Sequence, residues 1–159
     1  MCLGSRIIRK TIELPPSVLT DRVMENVIEN AINLFTNRID PKEGIIILQI
    51  RSVKILPSPM ISRDGLINYF TVEMDSECYQ PHEGCVLELP ITAVFIEGIL
   101  VRGEMIDFFI PASAMEAEGH RWSDRESWGD DFVPGKTIKF KIKTVRYGSD
   151  IINCICVLS

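Results

Sequence analysis

Lys136–Arg146 (KTIKFKIKTVR) restricts the fold more than any other segment, because Ile138, Phe140 and Ile142 alternate there with Lys139, Lys141 and Lys143. A period of two belongs to a β-strand, whose successive side chains leave on opposite faces. One face needs a core over it and the other needs solvent, so the strand belongs to a one-sided sheet or a small barrel. The segment carries five basic residues and no acid. Two readings follow for its polar face. Lys139, Lys141, Lys143 and Arg146 form a cationic stripe suited to a nucleic-acid backbone, with Tyr147 beside it to stack on a base. Alternatively, they are a solvated outer strand whose lysines discourage edge-to-edge pairing.

The rest of the second half fits a barrel. Cys85–Glu88, Ile91–Glu97, Ile99–Glu104, Ile106–Ile110 and Ile151–Leu158 read as short strands, with Gly98, Gly103 and Gly148 at turns or corners. Five or six such strands in about 75 residues match the size of an OB-type barrel. One insertion, Ser113–Gly135, holds Trp122, Trp128, His120 and a run of acids. A loop of that length inside a compact domain usually carries function.

The first half has a different grammar. Arg6–Glu13 reads as a strand ended by Pro15 and Pro16. Val23, Val27, Ala31 and Leu34, widened by Ile28, Ile32 and Phe35, mark the apolar face of a helix of about four turns. Ser17 or Thr20 is the expected cap. Ile45–Ile55 is strongly β, with Ile46, Leu48 and Ile50 on one face. A slip of phase toward Val53 signals a bulge or bend. Leu66–Met74 is a further strand, and Glu77–Tyr79 continues the pairing. The turn Pro81–Gly84 is the expected domain boundary. The fold class is therefore α+β: a small sheet-plus-helix domain over 1–80, then a barrel over 81–159.

Between the strands of the first half lies Leu56–Gly65 (LPSPMISRDG), where prolines and an Asp-Gly pair demand a turn-rich excursion. Met60 and Ile61 either stand exposed on it as a docking tip or fold back on the core.

Catalytic chemistry has little footing. The signatures of phosphate-binding loops, zinc proteases and serine hydrolases are missing. His120 with Asp124 or Asp130 forms a conceivable base and orienter, but all three sit in the acidic loop, off any rigid element. The five cysteines are odd in number and irregular in spacing, a poor disulfide framework. Cys154 and Cys156 read as buried thiols on one strand face. With only His82 and His120 to help, no zinc set is supplied. No catalytic residue, metal or cofactor is assigned. A net charge of −5 argues against a protein whose main task is to grip nucleic acid unaided, and leaves room for a weak local site. No apolar run reaches the roughly 18 residues of a membrane span. Met1–Lys10 is too short and too quickly basic for a secretory signal, so the expectation is an intracellular protein without a membrane partner.

The order of these elements carries a resemblance. Asp64-Gly65 is followed by the strand of Phe70 and Val72. Then come Cys78-Tyr79-Gln80-Pro81-His82-Glu83-Gly84-Cys85-Val86-Leu87, an aromatic ahead of Pro-x-x-Gly and an apolar strand. Gly103–Pro111 (GEMIDFFIP) follows as a barrel strand leading into a loop. This ordered set resembles the stalk subunit of archaeal and eukaryotic DNA-directed RNA polymerases, the seventh-subunit family, which has relatives in large DNA viruses. The sequence departs from it at Glu88-Leu89-Pro90, where an acid and then a glycine are common. The departures fit a specialised or viral member. The resemblance implies a non-catalytic subunit. Its tip, through Pro57, Pro59, Met60, Ile61, Arg63, Asp64 and Gly65, would dock on the largest subunits near the clamp. A fourth-subunit-like partner would lie alongside, and the barrel would touch nascent RNA weakly near its exit path. No small-molecule substrate is implied. The location would be the nucleus for a cellular polymerase, or the virion or a cytoplasmic replication site for a viral one. The competing expectation is a free-standing OB-fold RNA-binding protein of translation or RNA processing.

Overall fold

The computed structural model describes residues 3–57, 59–119 and 132–159, with Val18 as backbone only. Among them the protein is mostly β, in two curled sheets with few helices. The chain divides into two compact units. The first comprises Leu3–Arg38 and Ile46–Tyr79; the second comprises Ile39–Ile45 and Gln80–Ser159.

In the first unit, β1 (Leu3–Leu14) runs antiparallel to β5 (Asn68–Tyr79) along its whole length, Leu3 facing Tyr79 and Leu14 facing Asn68. On its other side β5 pairs with β3 (Ile45–Ile55) and with the two-residue β4 (Met60–Ile61). β5 is one unbroken strand of twelve residues whose alternate side chains are buried. Sequence reading had split it at Asp75-Ser76, because polar residues there hid the alternation; Ser76 itself is fully buried. The register of β3 slips between Ile47 and Gln49 and again between Ile50 and Ser52, so the expected break in phase is a pair of bulges.

Helix α1 (Val23–Phe35) supplies Val27 and Ala31 to this core, with Ile8, Ile12, Phe70, Val72 and Met74 from the strands. The cap differs from expectation. Arg22 is the N-cap and makes no side-chain cap bond. Ser17 lies in a 3₁₀ turn (Pro16–Val18), and the Thr20 hydroxyl accepts the Arg22 N–H at 3.2 Å, so it orders the turn before the helix. Asn37, at φ 55, ends the helix in the left-handed conformation that Asn tolerates. The short β2 (Arg38–Asp40) follows, and the turn 39–45 clusters with the second unit.

The second unit is a six-stranded sheet with the order β6-β10-β11-β9-β8-β7. Its strands are β6 (Val86–Pro90), β7 (Ala93–Phe95), β8 (Gly98–Arg102), β9 (Ile106–Pro111), β10 (Thr137–Tyr147) and β11 (Ile152–Leu158). β9 and β11 pair in parallel; the other pairs are antiparallel. Ile91–Glu97, expected as one strand, is regular only over β7. The hydrogen bonds give the reason: Ile91 N–H donates to Lys136 O, while Thr92 N–H donates to Leu100 O, so the chain changes neighbours just after Pro90. Pro90 sits where a ladder donor is no longer required. Gly98 opens β8 with φ +149, and a Cβ there would stand 2.1 Å from Ile110 O. Only glycine fits that approach.

Phe108 and Phe140 meet in the core with ring centroids 5.1 Å apart and tilted by 53°, a favourable aromatic arrangement. Ile99, Ile110, Ile142, Ile152 and Cys156 pack with them at zero exposure. The short helix α2 (Ala112–Ala117), inside the segment expected as a plain loop, buries Met115 completely. No helix among the described residues is long and apolar enough to cross a membrane.

Candidate docking tip and basic strand

The excursion after β3 closes into a short hairpin. Met60 pairs with Tyr69 and Ile61 with Asn68. Asp64 holds the turn: its Oδ1 accepts the Ser62 hydroxyl at 2.5 Å and the Leu66 N–H at 3.0 Å. Ser62 Oγ accepts the Ile67 N–H, and Ser62 N–H donates to Ile67 O. The Ser62 hydroxyl, and after it the Leu66 amide, hold the Asp64 carboxyl below its ordinary range. On this frame Met60 is 70% exposed, Ile61 65% and Leu66 65%. Pro57, Pro59, Arg63 and Gly65 belong to the same excursion, and Gly65 N–H donates to Ser62 O.

Leu66 is a tip residue that sequence reading missed. Its signal was present: a turn held by Asp64 returns the next residue beside the arm it came from. Reading Leu66 as the first residue of a buried strand concealed this.

On β10 the alternation is as read: Ile138, Phe140 and Ile142 are buried, and Lys139, Lys141 and Lys143 are exposed. Lys139 stands opposite Glu88 and Lys141 opposite Val86 on β6. The register with β11 then slips between Ile142 and Thr144. A one-residue slip exchanges the faces of everything beyond it. Arg146 therefore pairs with exposed Asn153, while Tyr147 pairs with buried Ile152. The Tyr147 hydroxyl donates to Pro81 O at 2.9 Å, and its ring lies where a Cβ on Gly44 would meet it at 3.0 Å. Burial pushes its pKa upward. Tyr147 is nevertheless 38% exposed, with its hydroxyl tied to the turn at Pro81.

Cys78, Cys154 and Cys156 are buried thiols outside any disulfide. Burial pushes the thiols of Cys154 and Cys156 up to about 12, which keeps them protonated and unreactive. Cys85 is disulfide-bonded, which the irregular cysteine spacing did not foretell. Among the described residues no group of His, Cys, Asp and Glu converges to hold a metal ion. His82 Nδ1 lies 3.0 Å from Glu83 O, within its own turn. His120, Asp124, Asp130 and both tryptophans, and with them the base-and-orienter idea, lie outside the described residues.

No family model matches the chain, and no curated protein matches it significantly.

Proposed function

We propose that this chain is a non-catalytic stalk subunit of a multisubunit DNA-directed RNA polymerase. In this reading it docks on the largest subunits near the clamp through the hairpin tip, and its barrel lies by the RNA exit path. The observation that carries the reading is the tip. Three large apolar side chains stand out on a hairpin that its own side-chain hydrogen bonds already order. Such a combination fits insertion into a partner's pocket, because little ordering is left to do on binding.

The second unit supports the other half of the reading. β6 and β7 fit the two halves of one bent strand, parted where hydrogen bonding passes from Lys136 to Leu100. Counted so, five strands with β9 parallel to β11, and α2 between β9 and β10, match the plan of an OB-type barrel. Lys139, Lys141, Lys143 and Arg146 then provide a weak contact for nascent RNA. No cofactor enters, and phosphoryl transfer belongs to the largest subunits. A fourth-subunit-like partner completes the stalk.

The same barrel plan and lysines also favour a second reading, a free-standing RNA-binding protein. One experiment separates the two: purify the tagged full chain from its native source and identify what accompanies it. The stalk reading expects two very large subunits with smaller companions in fixed stoichiometry. Recovery alone, or with ribosomal or RNA-processing proteins, replaces it with the second.

A further inference from the structure

The hairpin tip carries the sequence's one Asp-Gly pair, Asp64-Gly65, and the chain has no Asn-Gly. Such a pair is open to internal attack. Glycine has no side chain to shield its amide nitrogen, and that nitrogen can close a succinimide ring on the aspartyl Cγ. Both residues are exposed, and nothing lies within 4 Å of the place a Gly65 Cβ would take. Yet the folded tip occupies the groups that the reaction needs. Gly65 N–H donates to Ser62 O at 3.0 Å. Asp64 Oδ1 accepts the Ser62 hydroxyl at 2.5 Å and the Leu66 N–H at 3.0 Å.

We infer that Asp64-Gly65 is a site of isoaspartate formation whose rate is set by opening of the hairpin, with Ser62 as its guard. In the closed tip two donors pin one oxygen of the carboxylate, and the attacking nitrogen is engaged with Ser62 O. Once these bonds open, Asp64 takes a proton from solvent. The Gly65 nitrogen gives up its own proton and bonds to Asp64 Cγ, and the carboxyl hydroxyl leaves as water. Water then adds to one of the two carbonyls of the succinimide. Breaking the new bond at Cγ restores aspartate; breaking the old peptide bond yields isoaspartate. One water leaves and one returns, and the proton taken up on ring closure is released on hydrolysis. Ser62 restrains both reactants, the carboxylate through its hydroxyl and the nitrogen through its carbonyl.

Ionisation adds to the protection, because a carboxylate is the poorer electrophile, and the Ser62 hydroxyl and then the Leu66 amide hold Asp64 below its ordinary range. Isoaspartate at this position carries the main chain through Cβ and Cγ. The chain is longer by one methylene, and the acceptor that held Leu66 N–H has left its place. Met60, Ile61 and Leu66 then lose their fixed spacing. The chemistry is independent of any partner. Its consequence for docking rests on the proposed function: chains that isomerise before assembly are kept out of the complex.

The test is incubation of the full chain at neutral pH. Isoaspartate is counted at intervals by a protein-isoaspartate methyltransferase with labelled S-adenosylmethionine and located by peptide mapping. A synthetic peptide of residues 60–69 supplies the same pair without the sheet. The folded chain should form isoaspartate at residue 64 at least about tenfold more slowly than the peptide, the effect of one hydrogen bond to a charged group. Ser62→Ala should isomerise severalfold faster than wild type at an unchanged melting temperature. Asp64→Glu, which needs a larger ring, should give no signal at that position. A folded chain that keeps pace with the peptide overturns the protection. A Ser62→Ala chain no faster than wild type overturns the role of Ser62. Should that variant fail to fold, wild type in urea takes its place: its rate must rise to the peptide's, and an unchanged rate overturns the inference. The docking consequence is read from native material, where chain recovered with the large subunits should hold less isoaspartate than free chain; equal content overturns it. Absence of large subunits from that material counts against the polymerase reading and leaves the rates measured on the isolated chain to judge the chemistry.

Discussion

Changing Met60 and Ile61 together to Asp tests whether the hairpin tip is an anchor. Met60, Ile61 and Leu66 are 70%, 65% and 65% exposed, so about two thirds of each side chain is left to bury. Full burial of such a side chain is worth roughly 1.5–3 kcal/mol, so the tip offers about 3–6 kcal/mol in total. Little of this is spent on ordering, because Asp64 and Ser62 already hold the hairpin through five hydrogen bonds. The double change removes two of the three side chains and asks two carboxylates to enter an apolar pocket. A loss of at least about 2–4 kcal/mol follows, roughly a thirtyfold to thousandfold weaker complex. In the free chain the same residues touch mostly water, so stability should move by no more than about 0.5 kcal/mol. The assay is stoichiometry in the complex purified through a tagged large subunit, beside a thermal melt of the isolated variant. The reasoning is refuted if the variant stays stoichiometric. It is refuted equally if the variant leaves the complex only because it has lost its melting transition.

Two further outcomes concern the second unit. Tyr147→Phe deletes the hydroxyl that bonds Pro81 O and should cost about 1 kcal/mol in urea denaturation. Gly44→Ala, at φ +67 and 3.0 Å from the Tyr147 ring, should cost at least as much, and less in a Tyr147→Ala background where the ring is gone. Equal costs in both backgrounds would show that the backbone conformation alone demands glycine. Cys154 and Cys156 have folded pKa values raised from 9.0 to about 12 by burial. The neutral thiols' contribution is therefore complete below pH 9 and is lost as pH rises toward 12. Denaturation midpoints should fall over that window, and less so in the Cys154→Ala, Cys156→Ala protein after allowing for its lower baseline. Identical pH profiles would refute the assignment.

Legibility in the sequence followed the strength of the local period. Ile138, Phe140 and Ile142 announced a buried face because no competing signal interrupts them. β5 was harder, since Asp75, Ser76 and Glu77 look like a turn when read alone. In the sheet, Ser76 takes an inward position between Met74 and Cys78, and only the partner strands reveal it. Helix α1 was visible but its covered face was overestimated: Val27 and Ala31 are buried, whereas Ile32 and Leu34 are exposed. Periodicity reports how much apolar surface a helix presents, not how much the sheet beneath can cover. The bulge in β10 was not legible for a different reason: it adds one residue without any fixed sequence mark and shifts the register with β11 between Ile142 and Thr144.

Charge teaches a related distinction between sums and arrangements. The total of −5 disfavours unaided capture of RNA, because long-range steering responds to the whole charge. Contact at a bound phosphate responds instead to groups within a Debye length, about 8 Å at physiological salt. Lys141, Lys143 and Arg146 lie together on β10 in that sense, whereas Glu73 and Glu77 on β5 are each paired, with Arg9 and Arg51. In the stalk reading such a surface would associate slowly with free RNA and would hold a strand already brought close. High effective concentration at an exit path supplies that condition, and a diffusing RNA in dilute solution does not. The charge arrangement therefore favours a barrel fixed beside an RNA source by another anchor, and in the stalk reading that anchor is the hairpin of Met60, Ile61 and Leu66.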